Sequence, residues 1–150
     1  MLHGTAGAIG APVTQAGPAI GTTAPFLAIS RRGATRLVIL IGGLAIKLPK
    51  VTGLARFGRG RDGNKIEARM WSQHREELPE LCPVLWCAPL GLALAMPRVQ
   101  MMSDAEFWAW AESDEYPDHW RPAAPYEHKA RDWGWLRGRP VVVDYAVDAH

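Results

Sequence analysis

The chain has 150 residues, a formal net charge of +2 and an apolar share of 48%. That length suits one domain with a real core, and the composition is that of an ordinary globular protein. Two cysteines, Cys82 and Cys87, are too few for a disulfide framework and have no partners at zinc-ligand spacing. They read as small core residues in a reducing compartment, with the cytoplasm as the expected location. The longest apolar run, 37–46, is far short of the ~20 residues that span a bilayer. No membrane association and no secretory leader are expected.

Residues 1–30 hold Gly, Ala, Pro and Thr but no Asp, Glu, Lys or Arg. No helical or strand period persists there, so a loosely attached or disordered arm is expected over 1–35. A single domain is expected over 36–150. Leu37–Ile41 and Leu44–Leu48 flank Gly42-Gly43, which is the pattern of a hairpin, and Pro49 ends it. Residues 50–63 read as a basic, glycine-rich loop. Asn64 is a good N-cap for a helix to Leu78, and Glu67 lies at capping-box distance from it. Pro79 closes that segment.

Pro83–Cys87 and Gly91–Met96 read as a second strand pair turning at 88–91, and Pro97-Arg98 ends it. Ser103 or Asp104 caps a short helix that runs to Glu112. Trp108 and Trp110 lie two apart on that helix, so they cannot both face one core; an exposed member would suggest a partner surface. Residues 114–125 read as loop. Trp133–Leu136, a turn at 137–140, and Val141–Asp144 form a last strand pair. The expected fold is α+β: a small, mostly antiparallel sheet of five to six strands packed on one main helix, with a short second helix.

Charge is unevenly placed. Residues 31–75 carry eleven basic and two acidic side chains, whereas 76–118 carry one basic and nine acidic. A basic block of this kind can meet phosphate, on a nucleotide or on a nucleic acid. Within it, Lys47 ends an apolar strand. A desolvated ammonium is costly unless a carboxylate or phosphate pairs with it. Glu67, on the following helix, is a candidate partner.

Four features then follow in order: Lys47 ending a strand, Glu67 on the next helix, a strand pair ending at Met96-Pro97-Arg98, and Asp144-Tyr145-Ala146 after the last strand. This order resembles the protein-kinase-like superfamily, over about residues 36–146. Ala45-Ile46-Lys47 is similar to the V-A-I-K strand and Asp144-Tyr145-Ala146 to D-F-G. The resemblance implies that Lys47 and Glu67 form the nucleotide-binding pair and that ATP and Mg2+ are the cofactors. It makes Glu127 and Lys129 catalytic-loop residues, the glutamate at the base position, and Asp132 and Asp144 the metal ligands.

The departures are large. No glycine-rich phosphate loop is recognisable, a glutamate stands for the catalytic aspartate, and Ala146 replaces the D-F-G glycine. Six residues follow Asp144, so the expectation is a reduced fold: a kinase N-lobe with a catalytic-loop-like hairpin, and no helical substrate lobe. The expected function is that of a degenerate kinase-like protein. It binds a nucleotide with little or no phosphotransfer and acts mainly through a protein partner. The alternatives are a structural or assembly protein without ligand, and a nucleic-acid-binding module on the 31–75 block.

Overall fold

A computed structural model describes residues 26–30, 33–116 and 129–145. The chain is α+β, with a five-stranded and a three-stranded antiparallel sheet, one long helix and one short helix. Strands β1 (Leu27–Ser30), β2 (Arg36–Ile41) and β3 (Leu44–Pro49) lead into helix α1 (Leu54–His74). After it come β4 (Trp86–Cys87), β5 (Leu94–Pro97) and β6 (Gln100–Met101). Helix α2 (Asp104–Ala111) precedes the hairpin of β7 (Trp133–Leu136) and β8 (Arg139–Val142). The large sheet runs β1-β2-β3-β5-β4, the small one β6-β7-β8.

The hairpin at Gly42-Gly43 forms as its sequence dictates. Gly42 takes φ 53, which a glycine adopts without penalty, and Leu44 then pairs with Ile41. Ser103 caps α2 in a full capping box: its hydroxyl accepts from the Glu106 amide at 3.2 Å, while the Glu106 carboxylate accepts from the Ser103 amide at 2.8 Å. On that helix Trp110 is buried and Trp108 is 57% exposed, as their spacing requires. Cys82 and Cys87 are free thiols, the first fully buried.

Four expectations fail locally. Leu27–Ser30 is an edge strand paired with β2, inside the segment read as an arm; residues 1–25 lie outside the described residues. Its signal is weak because four residues are too few to establish a period, and pairing with an existing hairpin forms it. Helix α1 starts at Leu54, ten residues before Asn64, so the glycine-rich stretch is helical and Asn64 is no cap. Glycine costs about 1 kcal/mol per helical site relative to alanine, but one of these glycines is required by packing. A Cβ on Gly60 would sit 2.7 Å from the Thr35 carbonyl oxygen and 2.9 Å from Pro49 Cα. The same helix ends at His74, with the chain turning there before Leu78. Last, β8 ends at Val142, so Asp144 follows the strand instead of closing it.

Residue alternation divides the large sheet into two faces. Lys47 pairs with Val38 and with Leu94, so these share one face with Arg36, Pro49 and Met96, and α1 packs there. The main core continues from Leu94 and Met96 to Leu81, Cys82, Phe107, Trp133, Val141, Val142 and Tyr145. An isolated parallel bridge from Leu81 to Val142 stitches the segment after α1 onto the β7–β8 hairpin. Among the described residues no helix is long and apolar enough to cross a membrane.

Candidate functional site: a buried charge cluster at the sheet–helix junction

Lys47 is on the α1 face of β3, and only 6% of it is exposed. An ammonium in that position has to find anions or carbonyls. It finds Glu67, whose two carboxylate oxygens accept from Nζ at 2.8 and 2.7 Å. Its third proton goes to the carbonyl of Val143, next to Asp144. An ammonium has three donors, so Lys47 is saturated by protein atoms. Glu67 is fully buried at mid-helix, three residues after Asn64 on the same side of α1. The capping role open to it in the sequence is therefore excluded.

The cluster contains two residues that the sequence reading missed. Arg36 begins β2 and is 8% exposed; its guanidinium meets Glu67 Oε1 at 2.9 Å and also pairs with an Asp144 carboxylate oxygen. Asn64 is fully buried, and its amide nitrogen donates to the carbonyls of Lys47 (3.2 Å) and Gly91 (2.9 Å). Its side-chain oxygen accepts from Arg36 at 3.5 Å. A signal for both existed. Arg36 has the same strand parity as Val38, which pairs with Lys47, and Asn64 is three residues from Glu67 on one helix.

The four ionic groups, Arg36, Lys47, Glu67 and Asp144, sum to zero charge. Asp144 is the wet member, with its side chain 49% exposed. Partial burial pushes its carboxyl up, but the charges of Lys47 and Arg36 outweigh that and hold it below the usual aspartate range. Burial likewise lowers the Arg36 pKa, yet Glu67 and Asp144 raise it on balance. Tyr145 anchors the chain beyond Asp144: its hydroxyl donates to the Cys82 carbonyl at 2.9 Å, and burial pushes its pKa far up. Burial also pushes the Cys82 thiol up to about 12, so it is no nucleophile.

A folded-state pKa below the unfolded value stabilises the protein above the unfolded pKa, near 4 for aspartate, and that stability is lost as pH falls through the folded value. We expect the stability gap between the parent chain and Asp144→Asn to be present at pH 7 and to shrink below pH ~4. Urea midpoints at both pH values measure it. A gap that is constant with pH would rule out the ionic link.

The remaining expected site residues divide. Asp132 lies beside Asp144 at one end of the β7–β8 hairpin, where its carbonyl accepts from the Val143 amide at 2.7 Å. Its side chain is 13% exposed, 3.8 Å from the Arg131 guanidinium. Lys129 is exposed and borders a shallow groove with Asp104, Trp108, Ala130 and Arg131. Glu127 lies outside the described residues. Asp132 and Asp144 together offer carboxylate oxygens, the donor type that Mg2+ takes; no group of three or more metal-ligating side chains occurs among the described residues. Comparisons with protein-family models, curated proteins and solved structures yield no match.

Proposed function

We propose that the chain is a degenerate kinase-like protein that binds a nucleotide at Lys47, transfers phosphate little or not at all, and acts mainly through a protein partner. The observation that carries this reading is the bidentate Lys47–Glu67 pair at 2.7 and 2.8 Å, buried at the strand–helix junction and joined to the backbone beside Asp144. Such a pair holds a lysine extended and oriented, which is what phosphate binding requires of it. To bind, the ammonium exchanges the Val143 carbonyl for a phosphate oxygen and keeps both bonds to Glu67. Asp132 and Asp144 would hold Mg2+, which when bound neutralises phosphate charge.

Weak catalysis follows from Arg36. Its guanidinium occupies the Asp144 carboxylate, so a metal must displace a cation already paired there. The exposed Lys129 lies on the α2 side, beside the groove under Trp108. The half-exposed Trp108 is the type of side chain that anchors protein interfaces.

A thermal-shift titration with Mg-ATP tests the nucleotide. At about 100 times Kd the ligand adds ~2.7 kcal/mol, which raises Tm by roughly 5–10 °C in a chain of this size. Lys47→Met keeps the Arg36–Glu67 pair, so it should fold and lose the shift. An unchanged shift in Lys47→Met rejects the site. The saturated ammonium favours one other reading, an assembly protein in which the cluster is purely structural. A flat melting response in the parent chain selects that reading.

A further inference from the structure

The second face of the large sheet carries no polar side chain at any strand position. β2 contributes Leu37, Ile39 and Ile41, and β3 contributes Leu44, Ile46 and Leu48. By register the face extends to Leu27 and Ile29 on one edge and to Ala95, Pro97 and Trp86 on the other. None of these residues is buried: Leu27 is 59% exposed, Ile29 55% and Trp86 55%. Helix α1 is on the opposite face. A half-solvated antiparallel sheet ordinarily alternates apolar-in and polar-out. Here the outward face is apolar at every strand position while the α1 face holds Arg36 and Lys47, so the outward one is built to be covered.

We infer that this face is a self-association surface and that its occupant is a second copy of the chain, packed sheet on sheet about a twofold axis. Charge argues for it. A twofold interface sets a patch against itself, so any charge in it meets or neighbours its like; a patch with no charge is self-complementary at once. The basic helix α1 packs on the opposite face, and no strand position of this face carries a charge, so such a dimer leaves α1 unmasked. Area agrees. Strands of 4, 6, 6, 4 and 2 residues, at about 3.4 Å per residue and about 4.8 Å apart, give a projected face of roughly 360 Å². Two copies project roughly 720 Å², and side-chain relief brings the accessible area buried to about 1,000 Å², the lower bound for a specific interface. Aligned sheets pack about 10 Å apart through interdigitated aliphatic side chains, and β-branched residues such as Ile39 and Ile46 in the middle of the face suit that.

The test is the mass of the full chain by sedimentation equilibrium from 1 to 200 µM, paired with Tm over the same range. A dimer is expected within it, with Tm rising with concentration. Ile39→Glu, at the centre of the face, should weaken dimerisation at least 100-fold and leave the circular dichroism spectrum unchanged. Trp108→Glu, an exposed apolar site off the face, should leave the dimer intact. If Ile39→Glu fails to fold, Ile29→Glu at the sheet edge replaces it, with at least a tenfold weakening expected. A chain that stays monomeric at 200 µM overturns the proposal and leaves the face to another occupant, such as residues 1–25 or a different protein. A dimer that both glutamate variants leave unchanged overturns it too.

Discussion

Glu67→Ala is expected to destabilise the protein by about 3–5 kcal/mol, because it leaves two buried cations facing each other. Arg36 and Lys47 are 8% and 6% exposed, and Glu67 is the anion between them. Removing it leaves Arg36 with Asp144, whose carboxylate is half in water, and the Asn64 side-chain oxygen, and leaves Lys47 with the Val143 carbonyl. Natural domains hold about 5–15 kcal/mol in total, so this loss takes a large share. It should lower Tm by roughly 6–20 °C. Adding Lys47→Met to Glu67→Ala removes one uncompensated charge, so the double variant should be more stable than Glu67→Ala alone. A double-mutant cycle from denaturant midpoints reads the coupling, expected above about 1.5 kcal/mol. A loss below 1 kcal/mol in Glu67→Ala would mean that water reaches the cluster.

Gly91→Ala is the second large effect, expected to cost about 2–4 kcal/mol. Gly91 has φ 73, where an alanine is strained, and the Cβ would lie 2.2 Å from the Arg61 carbonyl oxygen. That oxygen belongs to the backbone of α1 and cannot rotate away, so the helix must move. The Gly91 carbonyl also accepts from Asn64, so the movement loosens the residue that ties α1 to the Lys47 backbone. Gly138 separates the two causes. It has φ 81 but nothing within 4 Å of an added Cβ, so Gly138→Ala should cost only the backbone strain, about 1–2 kcal/mol. Equal losses in the two variants, measured by urea denaturation, would show that α1 does not press on Gly91.

These two positions also mark where sequence reading succeeds and where it stops. Lys47 and Glu67 were legible together, because an ammonium on an apolar strand needs a carboxylate and the next helix supplied one. The hairpin at Gly42-Gly43, a helix cap at Ser103 or Asp104 and the split burial of Trp108 and Trp110 were legible because each depends on chemistry within a few residues. Helix α1 was misread because its first ten residues lack apolar periodicity and contain three glycines, which local propensity places in a loop. The close approach of Gly60 to Thr35 and Pro49 explains its glycine, and that contact crosses the fold. Arg36 and Asn64 were missed because their partners lie at separations of up to 108 residues.

The sequence by itself determined the α+β class, the central hairpin, the order of the main strands and the need of one strand lysine for an anion. Periodicity, turn chemistry and the desolvation cost of charge act locally, and they are readable residue by residue. Only the tertiary structure decided that Lys47 spends all three protons on Glu67 and Val143, that Arg36 holds Asp144, and that one whole sheet face is apolar and, among the described residues, carries no covering element. Those outcomes depend on register and on which face α1 covers, and both are set by contacts between segments far apart in the chain.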